Sequence, residues 1–126
     1  MGKADGGLRA LFHENMKTAQ WTAIETGAVS RGIPDTEYCF PGGVSGWIEF
    51  KRCRGNIVKY QPGQIAWIER RARLGGRVFV AVLREKDKAI LIFHGRDARI
   101  LASNLHMATP LCVGRDWKAI EQVLRS

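Results

Sequence analysis

Acidic charge is scarce in the middle of this 126-residue chain, and the residues that build disulfide scaffolds, metal clusters or membrane spans are scarce throughout. Cys39, Cys53 and Cys112 are an odd, widely spaced set without any CxxC pair. That excludes a disulfide framework or structural zinc site and implies reduced thiols, hence a cytoplasmic setting. His13, His94 and His106 are equally scattered, so no histidine metal site is expected. No run approaches the ~18 apolar residues of a membrane span, and Met1 to Ala10 lacks an apolar signal core, so neither a membrane protein nor an exported one is expected. Internal repeats and low-complexity linkers are missing as well. With 45% hydrophobic and 25% charged residues, the chain reads as one domain over residues 1–126.

Positive charge is what the chain has in excess, with 20 Lys and Arg against 12 Asp and Glu and a formal net charge of +8. Residues 51–99 hold 13 basic and 4 acidic side chains, whereas residues 1–50 hold 4 and 6. A bias so localised favours a polyanionic partner, which binds by releasing phosphate counterions, over a neutral small molecule.

Hydrophobic spacing predicts a helix from Gly7 to about Gln20, with Leu8, Leu11, Phe12 and Met16 on one stripe. Trp21 to Thr26 reads as a short strand, Ser30 to Gly32 as a loop, and Asp35 to Phe40 as a strand entered through Pro34. The turn residues Pro41, Gly42, Gly43, Ser45 and Gly46 predict a reversal into a strand over Trp47 to Arg52, making an antiparallel hairpin whose register the loop leaves open. A helix follows with Pro62 in its first turn and Ile65, Ile68 and Ala72 inward, stopped by Gly75 and Gly76. Val78 to Leu83 and Ala89 to Phe93 read as strands around a charged turn, and Asn104 to Met107 as a helical turn. Asp116 caps a last helix carrying Trp117, Ile120, Val123 and Leu124. The fold class expected is α/β, a small mixed β-sheet flanked by helices.

Chemistry concentrates in GIPD (Gly32 to Asp35) and, after eleven intervening residues, WIEFK (Trp47 to Lys51). Along a strand Trp47, Glu49 and Lys51 share one face while Ile48 and Phe50 anchor the other. The hairpin returns Asp35 towards the same end, so two carboxylates and an ammonium converge. Asp35 and Glu49 are hard oxygen donors suited to magnesium, and Lys51 suits a water to be oriented or a transition state to be neutralised. The same three residues would also make an ordinary cross-strand salt bridge. Gln64, in the first turn of the Pro62 helix, either presents a donor near an anion or simply caps the helix.

GIPD followed by IEFK, Gln64 at a helix start and GGRVFVAVL (Gly75 to Leu83) resembles the PD-(D/E)xK nuclease superfamily. The likeness is closest to small VRR-NUC-type nucleases and, in layout, to archaeal Holliday-junction resolvases, and it covers about Leu8 to Leu101. It implies a restriction-endonuclease-like core in which Asp35 matches the PD aspartate, Glu49 and Lys51 the ExK pair, and Gln64 the helix glutamine. It also implies a glutamate near the metal, matched by Glu14 on the first helix or by Glu25 before the loop; Glu37 is a further carboxylate that the family does not require.

The implied activity is a magnesium-dependent DNA endonuclease in which manganese can substitute, acting as a homodimer and, by family analogy, on branched DNA such as Holliday junctions. A nuclease of flaps, ends or single strands is an alternative, and so is a non-catalytic nucleic-acid-binding module on the same fold. Arg52, Arg54, Lys59, Arg70, Arg71 and Arg77 are the candidate DNA-binding residues; Arg73 flanks the same elements, and Arg70, Arg71 and Arg73 span nearly a turn and cannot all face one groove. Trp67 is expected to pack against the sheet rather than stack on a base.

Overall fold

The computed structural model describes residues 4–24 and 32–126. In chain order it contains α1 (Leu8–Asn15), β1 (Gln20–Ala23), β2 (Thr36–Phe40), β3 (Val44–Cys53), α2 (Gln64–Arg73), β4 (Val78–Arg84), β5 (Ala89–His94), α3 (Ala98–Ser103), β6 (Cys112–Val113) and α4 (Trp117–Arg125). The six strands form one sheet in the order β1 to β6. Neighbours are antiparallel except β3 and β4, which α2 joins as a parallel crossover. The chain is therefore a mixed α/β protein, as expected.

Period-two alternation divides the sheet between two cores. Phe79, Ala81 and Leu83 of β4 join Ile48 and Phe50 of β3 beneath Phe12 of α1 and Ile120 and Leu124 of α4. Val78, Val80 and Val82 face the other way, with Ile68 of α2 and Leu101 of α3. Burial on both faces is why β4 reads as an unbroken apolar run. Phe12 fixes α1 by edge-on contacts with Phe50 (4.9 Å), Trp117 (5.3 Å) and Trp21 (6.2 Å). Asp5 caps that helix, its carboxylate accepting from the Gly7 and Arg9 amides.

Several boundaries depart from the sequence reading. The first helix ends at Asn15, because the Trp21 indole takes the Met16 carbonyl (2.9 Å) and turns the chain; Met16 and Ala19 are still buried, but outside a helix. The first strand starts at Gln20, and its expected end falls among residues 25–31, outside those described. β3 starts at Val44, since Gly42 and Gly43 at φ 91° and 77° close a tight turn in which the Gly43 amide reaches the Phe40 carbonyl. α2 begins at Gln64, after Gly63 at φ 86°, leaving Pro62 just outside. α3 and β6 had no counterpart in the reading, whereas α4 has the expected cap, Asp116 accepting from the Lys118 and Ala119 amides. Among the described residues no helix is long and apolar enough to cross a membrane.

Candidate functional site

The tight β2–β3 turn sets a register with Thr36 opposite Ile48, which brings Asp35 level with Glu49. The Asp35 amide donates to Glu49 Oε1 (2.9 Å), while Asp35 accepts from the Thr36 hydroxyl (2.8 Å) and the Phe50 amide (3.3 Å). Glu49 Oε2 lies 3.2 Å from Lys51 Nζ. Lys51 donates in turn to Gln64 Oε1 (3.1 Å), an oxygen that also accepts the Gln61 amide (2.9 Å). Asp35 just before β2, Glu49 and Lys51 of β3 and Gln64 of α2 thus form one connected row, Asp35 joining it through its backbone amide. Glycine makes the junction possible: Gly32 sits at φ +92°, and a Cβ there would come within 2.5 Å of the Gly63 carbonyl oxygen. GIPD is thereby pressed onto the start of α2, with Gly32 and Pro34 buried.

The row opens into a cleft of about 850 Å³ lined by Asp35, Glu49 and Lys51, by Arg9 and His13 of α1, and by Arg52 and Lys59 among others. Glu49 is only 4% exposed and Gln64 6%. Burial, and then the neighbouring Glu49 carboxylate, push Asp35 up to about 7, against the pull of its two hydrogen bonds and of Arg9. One lysine therefore leaves the pair short of positive charge. Carboxylate oxygens are the donors a hard divalent cation takes, so Asp35 and Glu49 fit magnesium, with waters and phosphate oxygens completing its shell.

Asp35, Glu49, Lys51 and Gln64 are brought together as the sequence suggested. Glu14 is not: it is exposed and does not line the cleft, where α1 presents Arg9 and His13 instead. Leu8 and Phe12 dock the helix, and Glu14 lies two positions, about 200°, round from Phe12. Glu25 lies outside the described residues, and Glu37 does not line the cleft. Among the described residues no group of three or more His, Cys, Asp or Glu side chains is placed to hold a metal, so a third protein carboxylate is not part of the site described here.

The basic candidates separate by what already holds them. Arg52 pairs with Glu85 (3.0 Å), and Arg71 lies over the Trp67 and Trp47 rings at 4.5 and 5.5 Å. Trp67 meets Trp47 edge-on at 5.2 Å, so it packs on the sheet as expected. Arg77 donates to the Arg125 carbonyl, and Arg70 and Arg73 are exposed on α2. Lys59 is exposed in the wall of the cleft, and Arg54 is exposed beside it.

Arg9, His13 and Tyr60 were not anticipated. His13 stacks on Trp21 at 5.2 Å, has a buried Nε2 without a hydrogen-bond partner among the described residues, and is held below its ordinary pKa by burial and then by Arg9. Tyr60 places its ring 5.2 Å from Lys51 Nζ, and its buried hydroxyl has no partner among the described residues. The i, i+4 spacing of Arg9 and His13 was the available signal for a shared face. Comparison of the chain with protein-family models, with curated proteins and with solved structures returns no match.

Proposed function

We propose that this chain is a magnesium-dependent nuclease that hydrolyses phosphodiester bonds in DNA. The observation that carries the reading is the convergence of Asp35, Glu49 and Lys51 in a cleft that also takes in Arg9, Arg52 and Lys59, with Gln64 holding Lys51 from α2. Asp35 and Glu49 would hold the metal, which supplies charge stabilisation at the phosphate and a more acidic water. Thr36, Phe50 and the Asp35 amide fix the orientation of both carboxylates. Lys51, held between Glu49 and Gln64, places an ammonium where charge develops as water adds to phosphorus and the P–O bond to the leaving group breaks. Gln64 positions that ammonium rather than touching substrate. Arg9, Arg52 and Lys59 draw the polyanion to the cleft.

The test is cleavage of junction, flap, duplex and single-stranded DNA by the purified protein, with and without magnesium, manganese or calcium. Asp35→Asn and Glu49→Gln should each abolish cleavage with the fold retained, whereas Glu14→Gln should cleave like the wild type. Full activity in either of the first two sinks the site. Binding without cleavage of any substrate favours the non-catalytic module, and the preferred substrate decides whether the Holliday-junction expectation survives.

A further inference from the structure

We propose that a single strand of nucleic acid runs away from the acid pair along a cationic trough built on residues 54–61, with phosphates on Arg54, Lys59 and Lys86 and a base against Ile57. The identity of the polyanion rests on the nuclease reading; the path and the strandedness are additional to it.

The cleft does not end at Lys51. A second groove of about 460 Å³ shares Arg52 and Lys59 with it and adds Arg54, Asn56 and Ile57. A third, of about 70 Å³, shares Arg54 and Asn56 and adds Lys86 and His106. The three grooves share wall residues in succession past the C-terminal end of β3, and together they make up the trough of the proposal. Its wall is held in place by backbone and side chain alike: the Val58 amide reaches the Leu101 carbonyl (2.9 Å), the Leu105 amide reaches the Asn56 carbonyl (2.6 Å), and the Asn56 side-chain Oδ1 lies 3.0 Å from His106 Nε2. Val58 is buried and Tyr60 half-buried, while Ile57, Lys59 and Gln61 are exposed, so alternate residues of this segment face outward.

Ion pairing sorts the cations of the trough. Arg52 is taken by Glu85, and Arg84 by Asp87 (2.7 Å), whereas Arg54, Lys59 and Lys86 make no ion pair among the described residues. Only cations without a protein anion gain fully from phosphates and release their counterions. Ile57, 53% exposed, is an apolar face between Arg54 and Lys59. A duplex would offer such a wall only its sugar–phosphate edge, but an unpaired strand offers bases as well as phosphates.

The experiment titrates single-stranded and duplex oligodeoxynucleotides in calcium across a salt series. It compares the wild type, the Arg54→Ala/Lys59→Ala/Lys86→Ala triple variant and Ile57→Ser, with wild-type cleavage in magnesium scored separately. Loss of three single-strand contacts should lower the slope of log K against log salt by about 2. Ile57→Ser should weaken single-strand binding several-fold with the slope unchanged. All four positions are exposed, and circular dichroism checks that the variants fold. An unchanged slope in the triple variant overturns the trough, and an effect confined to duplex overturns the single strand. A wild type that cleaves DNA while its binding ignores these substitutions leaves the nuclease reading standing without the trough; binding through these residues by a protein that never cleaves does the reverse.

Discussion

Ionising Asp35 works against the folded state, which makes the acid pair measurable without any substrate. Its carboxyl rises from an ordinary 3.8 to about 7 on folding, through burial and then through Glu49. The folded protein therefore holds that proton more tightly than the unfolded chain does. The stabilisation is complete below pH 4 and is lost progressively as pH rises to 7. About three pH units at about 1.4 kcal/mol each give about 4 kcal/mol, an upper bound because Asp35 keeps some contact with solvent. For a domain of this size that corresponds to roughly 15 °C in Tm. Asp35→Asn keeps an acceptor for the Phe50 amide but carries no proton to lose. It should match the wild type near pH 4 and be more stable than it at pH 8 without metal. Saturating magnesium at pH 8 should raise the wild-type midpoint and barely move the variant, because a cation offsets the charge that burial penalises. Thermal unfolding from pH 4 to 8, with and without magnesium, reads both effects. Midpoints of the two proteins that run parallel across that range would refute the burial argument, and equal stabilisation of both by magnesium would remove Asp35 from the metal site.

Lys51→Ala should slow cleavage by at least about a hundredfold, as removal of a group that stabilises transition-state charge does, while calorimetry still detects magnesium; loss of metal binding instead would make Lys51 structural. Gly32→Ala should destabilise by about 2 kcal/mol or more, since alanine resists φ +92° and its methyl meets the Gly63 carbonyl; urea unfolding with an unchanged m-value measures this, and wild-type stability would contradict the close packing of GIPD on α2.

Those parts of the site that follow from strand periodicity were legible in the sequence. Ile48 and Phe50 are apolar and Trp47, Glu49 and Lys51 alternate with them, so one face of β3 is determined once the strand is recognised. Gln64 gained its place only through the resemblance, because a glutamine beside a helix start is equally well a cap. Glu14 was misplaced for want of a reference direction on the helical wheel. Leu8 and Phe12 mark the core, Arg9 and His13 border them on the cleft side, and Glu14 falls beyond. The six-residue α3 is too short to show a period, and the two-residue β6 exists by pairing with Leu91 and Ile92 of β5, a cause with no local signature. The β2–β3 register needed the Gly42–Gly43 conformation, which sequence alone does not specify beyond a turn.

A cross-strand salt bridge and a metal-binding acid pair use the same three residues, and burial is what separates them. An ion pair that only decorates a sheet stays in water, where each charge keeps its hydration and the pair contributes at most about 1 kcal/mol. Glu49 is almost wholly buried, and its neighbour Asp35 is a second carboxylate held beside it by its own amide; Lys51 balances one negative charge of the two. An apolar pair of similar volume would stabilise such a position at least as well. Clustering of desolvated like charges in a cleft is the arrangement that supports the proposed metal site over a structural salt bridge. The chain keeps the row together by a glycine contact and by hydrogen bonds from Thr36, Phe50 and Gln61, so its local structure is arranged to hold charge in place at the expense of stability. A divalent cation shared by Asp35 and Glu49 would complete the balance that Lys51 begins, and the same cation is what a phosphodiester entering between Arg9, Arg52 and Lys59 would meet.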